Sequence, residues 1–178
     1  MANYSRIEEC SLNNGKGIRT SIFFSGCEFY CKGCFNNELW DFNSGEPFTR
    51  EIYETKIKPT IKEHIAGLSI LGGEPLHPRN IESTNLLIQW FKEDFPNKNI
   101  WLWTGFCWEE LMDKLFDYNP YDIYCSNLEK IIINVSVIVD GQFVEEQKDL
   151  SLPWSGSRNQ RVINVKESLK EGKIVGEL

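Results

Sequence analysis

Four apolar runs in this chain each stop at a glycine or a polar residue paired with one, and that repeated stop constrains the fold most. Arg19 to Phe24 runs into Gly26, and Leu68 to Leu71 into Gly72-Gly73. Asn99 to Trp103 runs into Thr104-Gly105, and Ile131 to Val139 into Asp140-Gly141. Between these runs lie stretches with helical spacing. Thr49 to His64 has Thr49 as a plausible N-cap, with Ile52, Tyr53, Ile57 and Ile61 near one face, and Pro59 predicts a kink or break within it. Ile81 to Phe95 turns Leu87, Ile88 and Phe91 inward, and Trp108 to Tyr118 is a third helix. The β-branched run Ile131 to Val139 suits a central parallel strand. A polar segment, Gln142 to Asp149, and a short strand at Val162 to Val165 follow, and Tyr4 to Glu9 is expected as an edge strand.

Strands alternating with helices imply right-handed βαβ units and a parallel sheet, either open or partly rolled. A complete eight-stranded barrel takes about 250 residues, and this chain has 178. The expectation is an α/β fold with a partial (β/α) barrel of parallel strands, in one domain spanning 1-178. An apolar content of 41 % is enough for a core of that size.

A net charge of −7 argues against partners held by charge alone, such as nucleic acid or an anionic membrane. Met1 to Cys10 lacks the basic and apolar regions of a signal peptide, and no apolar run approaches the roughly 18 residues of a membrane span. The reading is a cytoplasmic protein. Two histidines leave hydrolytic triads little to draw on. Gly15-Lys16-Gly17 lacks the glycine spacing and the Lys-Ser/Thr pair of a phosphate loop.

Six cysteines remain to be explained. In a reducing compartment they do not read as a disulfide framework. Cys10, Cys107 and Cys125 stand alone, and each is read as a small buried hydrophobe. Cys27, Cys31 and Cys34 are different: the spacing Cys-x3-Cys-x2-Cys follows a strand, where parallel α/β folds gather their ligands. Close thiolates ligate iron–sulfur clusters or zinc. A ferredoxin cluster uses four cysteines, whereas three leave one iron of a four-iron cluster open to substrate, as catalytic metal sites are. The alternative is a zinc or electron-transfer module completed by His64, His77 or a distant cysteine, though neither histidine makes a recognised zinc spacing with the triplet.

The cysteine motif and the Gly-Gly-Glu-Pro loop at Gly72 to Pro75 resemble the radical S-adenosylmethionine superfamily. Gly17-Ile18-Arg19-Thr20, Phe24-Ser25-Gly26-Cys27, Cys31-Lys32-Gly33-Cys34-Phe35-Asn36, Trp40 and Pro47-Phe48-Thr49 are similar to the activating proteins of anaerobic ribonucleotide reductase. So are Gly73-Glu74-Pro75-Leu76-His77-Pro78, Trp101-Leu102-Trp103-Thr104-Gly105, Val139-Asp140-Gly141 and, near the C-terminus, Trp154-Ser155-Gly156-Ser157-Arg158-Asn159-Gln160-Arg161. The resemblance covers a core of about 4-166. The cysteine motif selects only the superfamily, whereas the Asn159-Gln160 segment and the short length select the reductase activators over relatives such as pyruvate formate-lyase activators.

The resemblance implies a shortened radical S-adenosylmethionine core. Cys27, Cys31 and Cys34 would ligate a 4Fe-4S cluster whose fourth iron takes S-adenosylmethionine. An electron from a flavodoxin or ferredoxin would release a 5′-deoxyadenosyl radical, which installs a glycyl radical on the reductase. It further implies that Gly72 and Gly73 approach the methionine amino group, that Glu74 accepts from it, and that Gly33, Cys34 and Phe35 lie against adenine or ribose. Thr104 and Asp140 would line the same pocket, with a turn role equally open for Asp140. Asn159 and Arg161 would contact cofactor or partner, or form a local cap or salt bridge.

Overall fold

The computed structural model of the chain describes residues 1–116, 119 and 121–177. The end of the third predicted helix, at Asp117 and Tyr118, lies outside them. Among the described residues, seven strands form one mixed sheet in the order β3-β1-β2-β4-β5-β6-β7. They are β1 (Asn3–Ser11), β2 (Arg19–Phe24), β3 (Glu46–Pro47), β4 (Gly67–Gly72), β5 (Asn99–Trp103), β6 (Val137–Asp140) and β7 (Arg161–Asn164). β2, β4, β5 and β6 are parallel neighbours taken in chain order, as the alternation predicted. The sheet is nonetheless not wholly parallel: β1 runs antiparallel to β2 and β3, and β7 antiparallel to β6. The predicted N-terminal strand is therefore longer than expected, and only two residues of β3 lie outside it.

Side-chain alternation divides the parallel strands between two faces. Ile22, Phe24, Leu68, Ile70, Ile100, Leu102 and Ile138 join one cluster with residues of α2 (Ile81–Asp94), α3 (Trp108–Phe116) and α4 (Ile123–Asn134). Leu87, Ile88 and Phe91 of α2 are fully buried there, as their spacing predicted. Each such side chain contributes about 1.5–3 kcal/mol through burial. The opposite face is covered by loops instead. Phe23 and Leu71 pack on Leu39, while Trp101, Val137 and Val139 pack with Trp154.

Two helical expectations need correction. Thr49 does cap a helix, its hydroxyl accepting from the Ile52 N–H, but α1 (Arg50–Ile52) passes at once into a π-helical turn at Tyr53–Ile57 and a 3-10 turn at Lys58–Thr60. Pro59 supplies no N–H for the ladder, and the helical path ends there rather than at His64, which is exposed in the following turn. The run Ile131 to Val139 is not one strand. Asp122 accepts from the Tyr124 N–H and starts α4, so Ile131 and Ile132 belong to a helix that buries them beside Leu128. β6 starts only at Val137. Near the C-terminus Asn164 caps α5 (Val165–Glu171), which removes Val165 from the last strand.

The lone cysteines also divide. Cys125 is buried as expected, but Cys10 and Cys107 are exposed. Cys10 sits where the register of β1 shifts, with φ 57°, and Cys107 precedes α3, its N–H donating to Glu110.

At the N-terminal end of β2 the loop-covered face holds a buried charge. Arg19 donates to Ser69 Oγ (2.6 Å), Asn99 Oδ1 (2.7 Å), the Leu68 carbonyl (2.8 Å) and the Lys16 carbonyl (3.2 Å). Its guanidinium lies 5.4 Å from the Trp101 ring centre. Burial lowers its pKa to about 9, which leaves it charged at neutral pH. Arg19→Met keeps the stem and leaves these buried acceptors unpaired, so it is expected to cost about 3 kcal/mol. Arg19→Lys should cost less, and urea unfolding of both variants checks the order.

Candidate functional site

The C-terminal ends of β2, β4 and β5 converge because their loops bond to one another. The Gly26 N–H donates to the Leu39 carbonyl (2.7 Å) and the Cys27 N–H to the Trp40 carbonyl (3.1 Å), which turns the chain out of β2. Beside it, the Gly73 N–H donates to the Phe24 carbonyl and the Glu74 N–H to the Gly26 carbonyl, both at 2.8 Å. Gly72 has φ 120°, and a Cβ on Gly73 would overlap the Gly26 backbone, so the two glycines allow this approach. Asn80, buried ahead of α2, donates from Nδ2 to the Ser25 and Glu74 carbonyls, both at 3.0 Å. Sequence reasoning missed Asn80, since an asparagine before a helix reads as an N-cap and this one makes no side-chain cap bond.

Glu74 is the centre of this junction and is 1 % exposed. Its Oε1 accepts from Thr104 Oγ1 (2.8 Å) and the Leu76 N–H (2.9 Å), and its Oε2 accepts from the Gly105 N–H (2.7 Å). The carboxylate expected to meet a ligand amino group is thus already bonded to the β4 and β5 loops. Burial pushes its pKa up to about 7 against these three donors.

Cys27, Cys31 and Cys34 lie on the loop after β2 and are free thiols, Cys27 buried and the other two half-buried. Burial pushes the Cys27 thiol up to about 11, and the Phe29 N–H opposes that shift. Burial also raises the Cys31 thiol, and the nearby Phe143 N–H opposes that shift. The negative charges of Cys31 and Cys34 raise Cys27 further, which marks the three as electrostatic neighbours. Among the described residues no three His, Cys, Asp or Glu side chains converge as the ligands of one ion would. A four-iron cube asks for a different set, one thiolate at each of three corners. Three free thiols on one short loop, one buried and two half-buried, fit such a group. Ser25 Oγ, buried just before Gly26 and Cys27, has no hydrogen-bond partner among the described residues.

The remaining predicted residues divide between this junction and its borders. Thr104 is buried and bonded to Glu74, and Gly33 lies against Glu145, which pairs with Lys32 at 2.8 Å. Phe35 is 54 % exposed, its ring 5.2 Å from that of Phe143 and 4.9 Å from the Lys148 ammonium. Asp140 is brought to a different task. It is 1 % exposed, accepts from the Trp108 N–H at 2.7 Å to start α3, and forms a short ion pair with Arg161. Arg161 also bonds Glu109, which holds that carboxylate down at about 2. Arg161 and Asn159 thus take the local alternative. His77, 3.1 Å from Glu28, lies next to the cysteine loop, whereas His64 does not join it. A cavity of about 670 Å³ opens at the opposite ends of β5 and β6, lined in part by Asn99, Trp101 and Val137. It contains none of the predicted site residues.

Comparison with known proteins gives this geometry a context. A family described as a 4Fe-4S single cluster domain matches residues 13–163. A Vibrio cholerae protein named anaerobic ribonucleoside-triphosphate reductase-activating protein is 39 % identical over 161 residues, covering 89 % of this chain and 95 % of that one. Proteins of the same name from Escherichia coli (38 % over 162 residues, 90 % and 97 % covered) and Enterobacteria phage T4 (36 % over 160 residues, 90 % and 92 %) are also similar.

Glu74 ionises near 4.5 when unfolded and near 7 in the fold, so between these values the folded state holds the extra proton. Its contribution is most favourable below about 4.5 and declines as pH rises toward 7, by up to about 3 kcal/mol. In Glu74→Gln that decline is expected to vanish. Urea unfolding of the metal-free chain between these pH values checks it, and an unchanged slope would assign the titration to another group.

Proposed function

This chain belongs to the family of anaerobic ribonucleoside-triphosphate reductase-activating proteins with a 4Fe-4S single cluster domain, and from that premise we propose how its residues serve the activation. It is an iron–sulfur activating enzyme whose target is the anaerobic ribonucleotide reductase. The observation that carries this reading is the 36–39 % identity to such activators over about nine-tenths of the chain. In our reading Cys27, Cys31 and Cys34 would hold three irons of a four-iron cluster, leaving its fourth iron for S-adenosylmethionine. When bound, the group supplies the electron that cleaves the sulfonium C–S bond, so that a glycine of the reductase can lose a hydrogen atom.

The protein's part is to bind, orient and exclude. Gly72 and Gly73, welded to the end of β2, offer backbone to the methionine moiety, while Gly33, Cys34 and Phe35 border the nucleoside. Glu74 acts through the loops it joins, setting the spacing between Gly73 and Gly105 with Thr104 as its second anchor. Asp140 serves the same rim by starting α3. Cys31, Cys34 and Phe35 keep solvent access, which suits a site that must admit a peptide loop.

The chain-order succession β2-β4-β5-β6 never reverses as a doubly wound sheet does, which supports a partial barrel and a shortened radical S-adenosylmethionine core. We take residues 1-178 as one domain, working in the cytoplasm with a flavodoxin or ferredoxin as electron donor. Among the described residues no helix is long and apolar enough to cross a membrane.

Cys31→Ala is expected to abolish both cluster assembly and the release of methionine and 5′-deoxyadenosine under dithionite. Cys10→Ala, exposed on β1, should stay within about two-fold of the parent. Equal loss in both variants would mean that the ligands are misassigned. Mixed with reductase and S-adenosylmethionine, the parent should yield a glycyl doublet in electron paramagnetic resonance, and a silent spectrum beside active cleavage would point to another target.

A further inference from the structure

The segment Ser157 to Gln160 is part of the resemblance to the reductase activators, and Ser157, Asn159 and Gln160 turn their side chains onto the protein's own loops. Gln160 Oε1 accepts from the Gly156 N–H (2.8 Å) and the Ser157 N–H (3.2 Å), while Nε2 donates to the Gly141 carbonyl (2.9 Å). Asn159 Nδ2 donates to the Gln142 carbonyl at 2.7 Å, and its Oδ1 accepts from the Ser157 hydroxyl at 2.7 Å. The buried Ser157 Oγ in turn accepts from the Val144 N–H at 3.2 Å. The Arg158 N–H donates to the Gln147 carbonyl at 2.9 Å. Backbone groups at Gly141, Gln142 and Val144 are thereby fixed, and Phe143 is the residue between them.

What Phe143 does is visible on the other side of the loop. Its ring packs on that of Phe35, the residue after Cys34, with 5.2 Å between ring centres. Two residues on, Glu145 pairs with Lys32. The loop from Gly141 is thus pressed onto the cysteine loop from above while Ser157, Asn159 and Gln160 hold it from behind. We propose that Ser157, Asn159 and Gln160 are positioning residues, a clasp that fixes Gly141 to Val144 so that Phe143 stays packed on Phe35 and Glu145 stays paired with Lys32, on either side of Cys34. Resting on the assignment of Cys27, Cys31 and Cys34 as cluster ligands, this gives the clasp a role in keeping the loop that carries them in shape.

Asn159→Asp and Gln160→Glu test this with little change of shape. Each keeps its acceptor oxygen and turns a second oxygen toward a backbone carbonyl where an amide donated. Hydrogen exchange in the metal-free full chain should quicken at least about ten-fold at residues 142–144 while the amides of β4 and β5 stay protected. In the reconstituted protein the release of iron to a chelator should quicken about ten-fold. Faster exchange with unchanged iron release would overturn the role at the cysteine loop, and unchanged exchange would overturn the clasp itself. Ser157→Ala, which takes no charge into the fold, repeats the measurement if either carboxylate variant unfolds. Cys31→Ala separates the two readings: a full iron load in that variant would defeat the ligand assignment, while the exchange result would still judge the clasp.

Discussion

Where β2, β4 and β5 end, a single carboxylate determines how close their loops may come. Glu74 is cut off from water, and its oxygens accept from Thr104, Gly105 and Leu76. An unmade bond to such a group costs more than a made one contributes, so all three donors must arrive together. The Gly73 and Glu74 amides then reach across to β2, and the turn into Cys27 follows from that reach. The cysteine loop is consequently attached to three strands rather than one. Its thiols are presented by a rigid junction, which is what a group with strict coordination demands of its ligands.

Much of this was legible in the sequence, for identifiable reasons. β5 has the predicted limits and β2 and α2 nearly so, because two-sided burial writes a continuous apolar run and one-sided burial a helical period. The stretch Ile131 to Val139 misled because β-branched residues on a buried helical face look the same as a strand core. The informative signal was Asp122, a capping residue upstream of the run. Partners distant along the chain were the least legible. Nothing local in Glu74 indicates Thr104 and Gly105 as its donors, and nothing in Asp140 indicates Arg161. Both carboxylates follow glycine-rich or apolar signals that read equally well as ligand contacts, and the fold employs both internally.

The C-terminal segment extends the same principle. Its amide side chains each carry a donor and an acceptor and use both: Gln160 bonds backbone on both sides, and Asn159 joins the Gln142 carbonyl to the Ser157 hydroxyl. Asparagine and glutamine suit the task because a carboxylate would lack the donor and a hydroxyl the reach. The Trp103 indole adds a further tie to the Trp154 carbonyl at 2.8 Å, so the segment is anchored to β5 as well.

β7 closes the sheet by running backward along β6, and it comes directly after the clasp in the chain. Translation therefore delivers the parts of the site in an awkward order. Cys34 leaves the ribosome 126 positions ahead of Gln160, with most of the strands and helices still to come between them. A nascent chain can display its thiols long before the loop that steadies them exists. A stretch that emerges late thus locks a site whose thiols were made early.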